Sequence, residues 1–517
     1  MFALRYGICY NWGVMKSTAK LRSGSTVTRG QKIALGLGDL GYGIVNNTMN
    51  SFILFFGNTV MGVPGTLMGL AVACGTMWDA VTDPLLGYAS DNLRSRVFGR
   101  RHGFILLGVL LMSVLNVALW SLSPEWSSTA KFFWFVFFIV ALETSYTFFA
   151  TPNSALSLEI TNDYNERSSI QIYKSVFTIL GILIPTLLMG AFQTPTEAYP
   201  DGRFNPDSYR NFSYVGSALA LIFGTIMFVS TFSHVPRLKA LAAVEPRKKG
   251  GLNILKNIFK NFFITLKDRN FRSVILGYAV SMMAATILIA VGFDVFTFTF
   301  KTSTMQMYII MAGLFLMTIV GQPLWFYISK KYDKKRAVLF GQSVSLVGCF
   351  MLLAMFLMRD FFNGLLEQNF FYVIFMMPPL MVAGLGTGVL YSLPLALIGD
   401  AIIIEKSITG EDRTATFAGF MTLAYKASQA VSQLILGSAL DLMGFQEGSS
   451  VQTPAVEASL GWLLCLGVIA SVGGGILLFS RYRIKRADVQ EALEKINRVV
   501  IVSSDAESSE GEKRGDA

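Results

Sequence analysis

Asp79 and Asp83 stand four residues apart inside an apolar segment that begins near Val63 and is long enough to cross a bilayer. That spacing puts both carboxylates on one helix face. An ionised carboxylate at bilayer depth costs about 2.5–3.5 kcal/mol even on the lenient insertion scale, so the pair demands a compensating cation, proton or basic side chain. The chemistry to expect is a cation site. Other apolar segments carry Lys174 and Lys426, and a further one carries Glu143 one turn before Thr147. Intramembrane charges tend to pair, so the two lysines are candidates to neutralise the aspartates. Catalysis would need a nucleophile–base pair or metal ligands at depth. No histidine lies inside an apolar span, neither HExxH nor GxSxG occurs, and the aspartates have no nucleophile–base partner nearby in sequence, which argues against an intramembrane enzyme.

The elements that must hold these groups are membrane helices. The chain has 517 residues, 53% hydrophobic and 15% charged, with a mean hydropathy of +0.51, whereas soluble domains carry roughly 25% charged residues. Apolar spans fall near 33–57, 63–88, 104–123, 131–156, 169–192 and 212–233, then near 272–298, 304–328, 337–357, 370–398, 414–443 and 459–480. The expected fold is an all-α membrane protein of twelve transmembrane helices in two six-helix halves. Residues 1–32 form a basic cytoplasmic segment, without a cleavable signal and with Met15 as an alternative start; 33–233 and 272–480 are the two bundles. The linker 234–271 is rich in Lys and Arg and reads as cytoplasmic, with Leu255, Phe259, Phe262 and Phe263 at helical spacing; it is either an interfacial helix or a flexible connection. Residues 481–517 read as a disordered cytoplasmic tail, because their Ser/Glu/Asp-rich end buries too little apolar surface. Both termini are then inside. The net charge of +10 sits in short loops between spans, where it reports orientation and not nucleic-acid binding. The scattered Cys9, Cys74, Cys349 and Cys465, with only His102 and His234, point to neither a disulfide framework nor a structural metal site.

An internal repeat relates the halves. Pro84-Leu85, Tyr88 and Ser90 before one charged turn match Pro323-Leu324, Tyr327 and Ser329 before another (Lys330, Lys331, Asp333, Lys334, Lys335, Arg336) at a single offset. Two such halves describe the major facilitator architecture, with a solute site between them near the midplane. At the same offset Asp79 and Asp83 become Thr318 and Gln322. The carboxylate pair therefore exists only in the first half, a bias that a structural role does not explain.

Trp78-Asp79, Asp83-Pro84 and Gly87, followed by Asp91, Arg94, Arg96, Gly99 and Arg100, resemble the glycoside-pentoside-hexuronide:cation symporters, the melibiose permease family. Gly36-Leu37-Gly38-Asp39, Tyr146-Thr147, Pro152, the loop Glu159-Ile160-Thr161 with Asp163 and Glu166-Arg167, Tyr173-Lys174, and Asp400, Glu405, Thr409-Gly410, Arg413 and Lys426 extend the likeness over nearly the whole chain. The resemblance implies a secondary active transporter that couples sodium or proton entry to symport of a sugar, glycoside or uronide, with no cofactor beyond the coupling ion. By the same resemblance Asp79, Asp83 and Thr147 hold the cation, with Thr82 where the family can use asparagine. Lys174 and Lys426 are the implied solute-site cations. The acids with which the melibiose permease grips galactoside match Gly43 and Ala150 here, so a galactoside is not expected. Asp39, Asn46 and Asn50 could supply polar contacts from the first span, although asparagines at this density also serve as interhelical glue. The loss of those acids keeps a second substrate open, a lysolipid or other amphiphile. Asp91, Arg94, Arg96, Arg100 and Arg101, with the acids Glu159 and Asp163 and with Arg413, are expected to form cytoplasmic contacts that gate alternating access. The setting expected is a monomer in the cell membrane, in contact with lipid and a small solute.

Overall fold

The computed structural model describes residues 27–161, 163–244, 265–366, 371–409 and 414–495. The regular elements among the described residues are helices, and helices lie at every expected span. In the first half they are α1 (Arg29–Phe55), α2 (Gly65–Asn92), α3 (His102–Trp120), α4 (Ser128–Glu159), α5 (Tyr164–Phe192) and α6 (Pro206–Phe232), followed by the short α7 (Val235–Val244). The second half holds α8 (Arg269–Asp294), α9 (Thr304–Lys331), α10 (Lys334–Leu357), the short α11 (Arg359–Leu366), α12 (Phe371–Thr387), α13 (Leu393–Thr409), α14 (Thr414–Leu442) and α15 (Pro454–Ser480). Residues 255–263 of the linker, Arg413, the first 26 residues and the end of the tail lie outside the described residues.

Nine of the helical segments among the described residues are long and apolar enough to cross a membrane by length and composition. The long helices α1, α2 and α14 are not among them, and these carry Asp39 with Asn46, Asp79 with Asp83, and Lys426. Hydropathy is given up where polar side chains are placed.

The repeat is visible in backbone geometry. α1 ends in a π-helical turn, Phe56–Val60, and α8 in another, Val295–Thr299, at the same offset that relates Pro84 of α2 to Pro323 of α9. The tenth span departs from the expected single helix over 370–398. It breaks at a 3-10 turn, Gly388–Tyr391, and resumes as α13 to Thr409. Pro394 explains the break, since it has no N–H to donate and its ring crowds the carbonyl four residues back.

Within the first half α1 packs on α5 and α6, α3 on α4 and α6, and α2 on α4; in the second, α8 packs on α15, and α12 on α9 and α10. The halves meet through α2 with α14, α5 with α9, and α1 with α8. Much of their junction lies at the end remote from the basic turns. There Phe52 packs edge-on to Phe293, with ring centroids 4.9 Å apart, and Thr59 donates to the buried Asp294 at 2.9 Å. Asp441 accepts from the Gly65 and Thr66 amides at 2.6 and 2.8 Å, so a carboxylate of the second half caps the start of α2. Gly448, at φ +67°, sends its amide to the Asn58 carbonyl at 3.2 Å, a left-handed conformation that favours glycine.

Close approach of α2 to α14 also needs glycine: a Cβ on Gly65 would stand 2.6 Å from the Gly437 carbonyl. Gly65→Val should therefore lower stability by about 1–3 kcal/mol through overpacking. Thermal unfolding in lipid nanodiscs reads this directly, and an unchanged melting temperature would contradict the packing.

Candidate ion and solute site

α2 presents Asp79 and Asp83 one turn apart, as the spacing requires, and α14 of the other half brings Lys426 between them. The Lys426 ammonium lies 2.5 Å from Asp79 Oδ2 and also donates to Asp83 Oδ2. On α4 the Thr147 hydroxyl donates to Asp79 Oδ1 at 2.7 Å, and Thr82 lies 3.5 Å from that hydroxyl. The residues expected to hold a cation thus converge. Thr82 and Thr147 are buried. Glu143, one turn before Thr147, is buried too, and near enough for the charges of Asp79, Asp83 and Lys426 to act on it.

Among the described residues no three acidic, histidine or cysteine side chains converge as metal ligands. Two carboxylates and two hydroxyls are the oxygen ligands a hard cation takes. The two carboxylates already hold one positive charge, the Lys426 ammonium.

A second polar group lies on α1, α4 and α5. Lys174 donates to the Ser157 hydroxyl at 2.9 Å and stands 3.4 Å from Asp39, which also accepts from Asn153 at 2.7 Å. A cavity of about 500 Å³ is lined here by Asp39, Asn46, Ala150 and Lys174. An adjoining space of about 360 Å³ shares Asp39 and Lys174 and reaches the second half at Phe315, Gln322 and Tyr391. Leu158 near the end of α4 and Gln171 near the start of α5 extend the wall toward the basic turns.

The two lysines therefore have different partners. Lys174 pairs with Asp39 and not with Asp79 or Asp83, while Lys426, expected beside the solute, is held by the aspartates. Asn46 lines the larger cavity, whereas Asn50 donates to the Asn46 carbonyl at 2.9 Å and is not among the lining residues. At Gly43 a Cβ would meet Gly181 Cα at 3.1 Å, so no acid fits where the melibiose permease has one. Asn153 and Tyr42 were missed in the sequence. Tyr42 stacks on Phe149 with centroids 5.8 Å apart and lines the cavity, but a lone tyrosine in an apolar span carries no signal of that role.

The residues expected to gate divide into several roles. Arg101 reaches Asp91 at 2.5 Å and Glu159 at 2.7 Å, and Arg100 reaches Glu159 at 3.0 Å. All four belong to the first half. The Arg96 carbonyl accepts from Lys239 at 2.5 Å, and Arg94 is exposed in the same turn. Asp163, expected to face an arginine, instead caps α5 by accepting from the Glu166 amide at 2.7 Å. A corresponding pair in the second half joins Lys334 to Asp400 at 2.5 Å.

A model of the MFS/sugar transport protein family matches residues 34–486. An uncharacterized symporter of Synechocystis is 25% identical over 90% of this chain and 96% of its own length. The sodium-dependent lysophosphatidylcholine symporter 1 of Xenopus tropicalis is 23% identical over 90% of each chain. Among solved structures, a bacterial homologue of the human lysosomal transporter Spinster, in an inward-facing and unoccupied conformation, superposes with a TM-score of 0.63 at 14% identity, covering 91% of this chain and 99% of that one. At that identity the likeness is one of fold.

Proposed function

This chain belongs to the MFS/sugar transport protein family, and from that premise we propose that it is a cell-membrane symporter in which sodium or a proton, bound at Asp79, Asp83, Thr147 and Thr82, drives uptake of a sugar, glycoside or uronide. The observation that carries the reading is Lys426. Its ammonium belongs to the second half and its two carboxylate partners to the first, so one ionic contact bridges the halves at membrane depth. Removing one partner of a buried pair leaves an uncompensated charge, at about 3–5 kcal/mol. The aspartates therefore keep either Lys426 or a cation. Exchange of one for the other makes and breaks the bridge, which ties ion occupancy to movement of the halves.

The positive-inside rule assigns the basic turns and both termini to the cytoplasm. The junction around Phe52, Phe293 and Thr59 is then external, the conformation is inward-facing, and the protein works as a monomer. Asp39, Asn46, Gln171 and Lys174, which line the cavity, offer the solute both donors and acceptors, as a hydroxylated molecule requires. A lysolipid is the second reading, favoured by the named substrate of the Xenopus relative. Uptake into proteoliposomes of hexoses, hexuronides and lysolipids, with and without a sodium or proton gradient, tests both. Accumulation of none of them under any gradient would contradict the reading.

Lys174 is the cation the solute meets, since it lines the cavity and Lys426 is not among the lining residues. Lys174→Gln should therefore reduce preference for a hexuronide over its neutral hexose by about 10- to 100-fold, the range of a charged hydrogen bond. Competition of the two sugars for uptake measures it. An unaltered preference would make Lys174 a partner of Asp39 only.

A further inference from the structure

Inside the second half, between α8, α9, α10, α12 and α15, lies a small pocket walled by Leu288, Leu314, Leu352, Leu380, Val468 and Val472. Its Thr318 and Thr387 hydroxyls donate to carbonyls of their own helices, at 2.9 and 2.8 Å, so neither has its proton free for a polar ligand. A void among core leucines would ordinarily be a packing defect. This one shares Phe315, Thr318 and Tyr391 with the polar cavity that holds Asp39 and Lys174. Tyr391 sits in the 3-10 break of the tenth span and is 50% exposed, a side chain standing at the mouth between the two spaces. Charged groups line the first-half side of that mouth, while the pocket beyond it is mostly apolar, with the Thr318, Ser345 and Thr387 hydroxyls as its polar lining.

We propose that the solute carries a short apolar group and that this pocket receives it while the polar part stays between Asp39 and Lys174. The inference rests on the reading of the cavity between the halves as the solute site. The pocket measures about 50 Å³, against ~150 Å³ for an apolar protein cavity that takes benzene, so it admits about three carbons without repacking. The ligand chemistry is thus a polar head with an ethyl- to butyl-sized appendage, as in a glycoside with a small aglycone or the first carbons of a lipid chain.

Two homologous series separate these sources, methyl to hexyl glucuronides and methyl to hexyl phosphocholines, with binding measured on purified protein in nanodiscs with and without sodium. Affinity should rise about fourfold per methylene up to propyl or butyl and then level off, in the glucuronides for a carbohydrate head or in the phosphocholines for a lipid head. Val472→Phe and Cys349→Phe, which fill the pocket from two different helices, should each bring the propyl-to-methyl affinity ratio from about sixteen to near one. A flat series in which the methyl member still binds with sodium overturns the pocket and leaves the symporter reading intact. Absence of binding by every member, with or without sodium and at acid or neutral pH, overturns both. Retention of the chain-length gain in both variants places the apolar group elsewhere and overturns the assignment.

Discussion

Asp79→Asn and Asp83→Asn should each abolish cation-driven accumulation of solute while the protein still inserts. Each variant removes one of the two carboxylates that share the Lys426 ammonium, and with it the charge that a sodium ion or proton would satisfy. Coupling is reciprocal: if bound cation raises solute affinity, bound solute raises cation affinity by the same factor, typically about 5- to 150-fold. Both effects should disappear together. Lys426→Gln should act in the opposite sense, since the carboxylates lose their resident ammonium and take the cation more tightly. Uptake against sodium concentration and pH in proteoliposomes measures all three variants. Undiminished accumulation in both aspartate variants would remove the ion site from the account.

Arg203→Ala should shift the resting population from inward- toward outward-facing. This arginine lies in the connection between α5 and α6, is 5% exposed, and crosses to the second half, where it donates to the Thr297 hydroxyl at 3.0 Å and the Thr302 carbonyl at 2.9 Å. Asp201 holds its guanidinium in place from the first half at 2.6 Å. Truncation leaves those acceptors without their donor, and each buried group so deprived costs about 1–3 kcal/mol in the closed arrangement only. A shift of roughly 30-fold or more in the ratio of the two states follows from the two groups together. Distances between spin labels on the α5–α6 and α8–α9 connections report that ratio. An unshifted distribution would make Arg203 a local brace of its own loop.

The contrast between these two sites shows what could be read before the structure. Asp79 and Asp83 were legible because a carboxylate in an apolar span is rare and costly, and a spacing of four fixes its face whatever the tertiary packing, whereas Thr147 was named only through the family resemblance. The long helices followed from the apolar spans, and the repeat from Pro84 and Pro323. Arg203, Gln193 and Asp294 were not legible, since their meaning comes from the far half of the chain and no local spacing records it. Tyr308 donating to Gln193 at 2.8 Å joins residues that no pattern connects. The assignment of each lysine was likewise beyond the sequence. It showed Lys174 and Lys426 in the spans and Asp39, Asp79, Asp83 and Glu143 among the carboxylates there, but Lys174 on Asp39 and Lys426 on the α2 pair depend on how four helices cross. The break at Gly388–Tyr391 was signalled by Pro394, yet the apolar run across it read as one continuous span.

The account turns on exchange between the Lys426 ammonium and a bound cation at Asp79 and Asp83. Acylation of Lys426 by a small amine-reactive reagent, followed by mass spectrometry across a sodium titration of the solute-free protein at fixed pH and ionic strength, examines that exchange directly. Displacement from the carboxylates should make Lys426 labelling rise with sodium, at the midpoint found for sodium binding, and Asp83→Asn should remove the dependence. Labelling of Lys426 that stays constant across concentrations at which sodium binds would contradict the account.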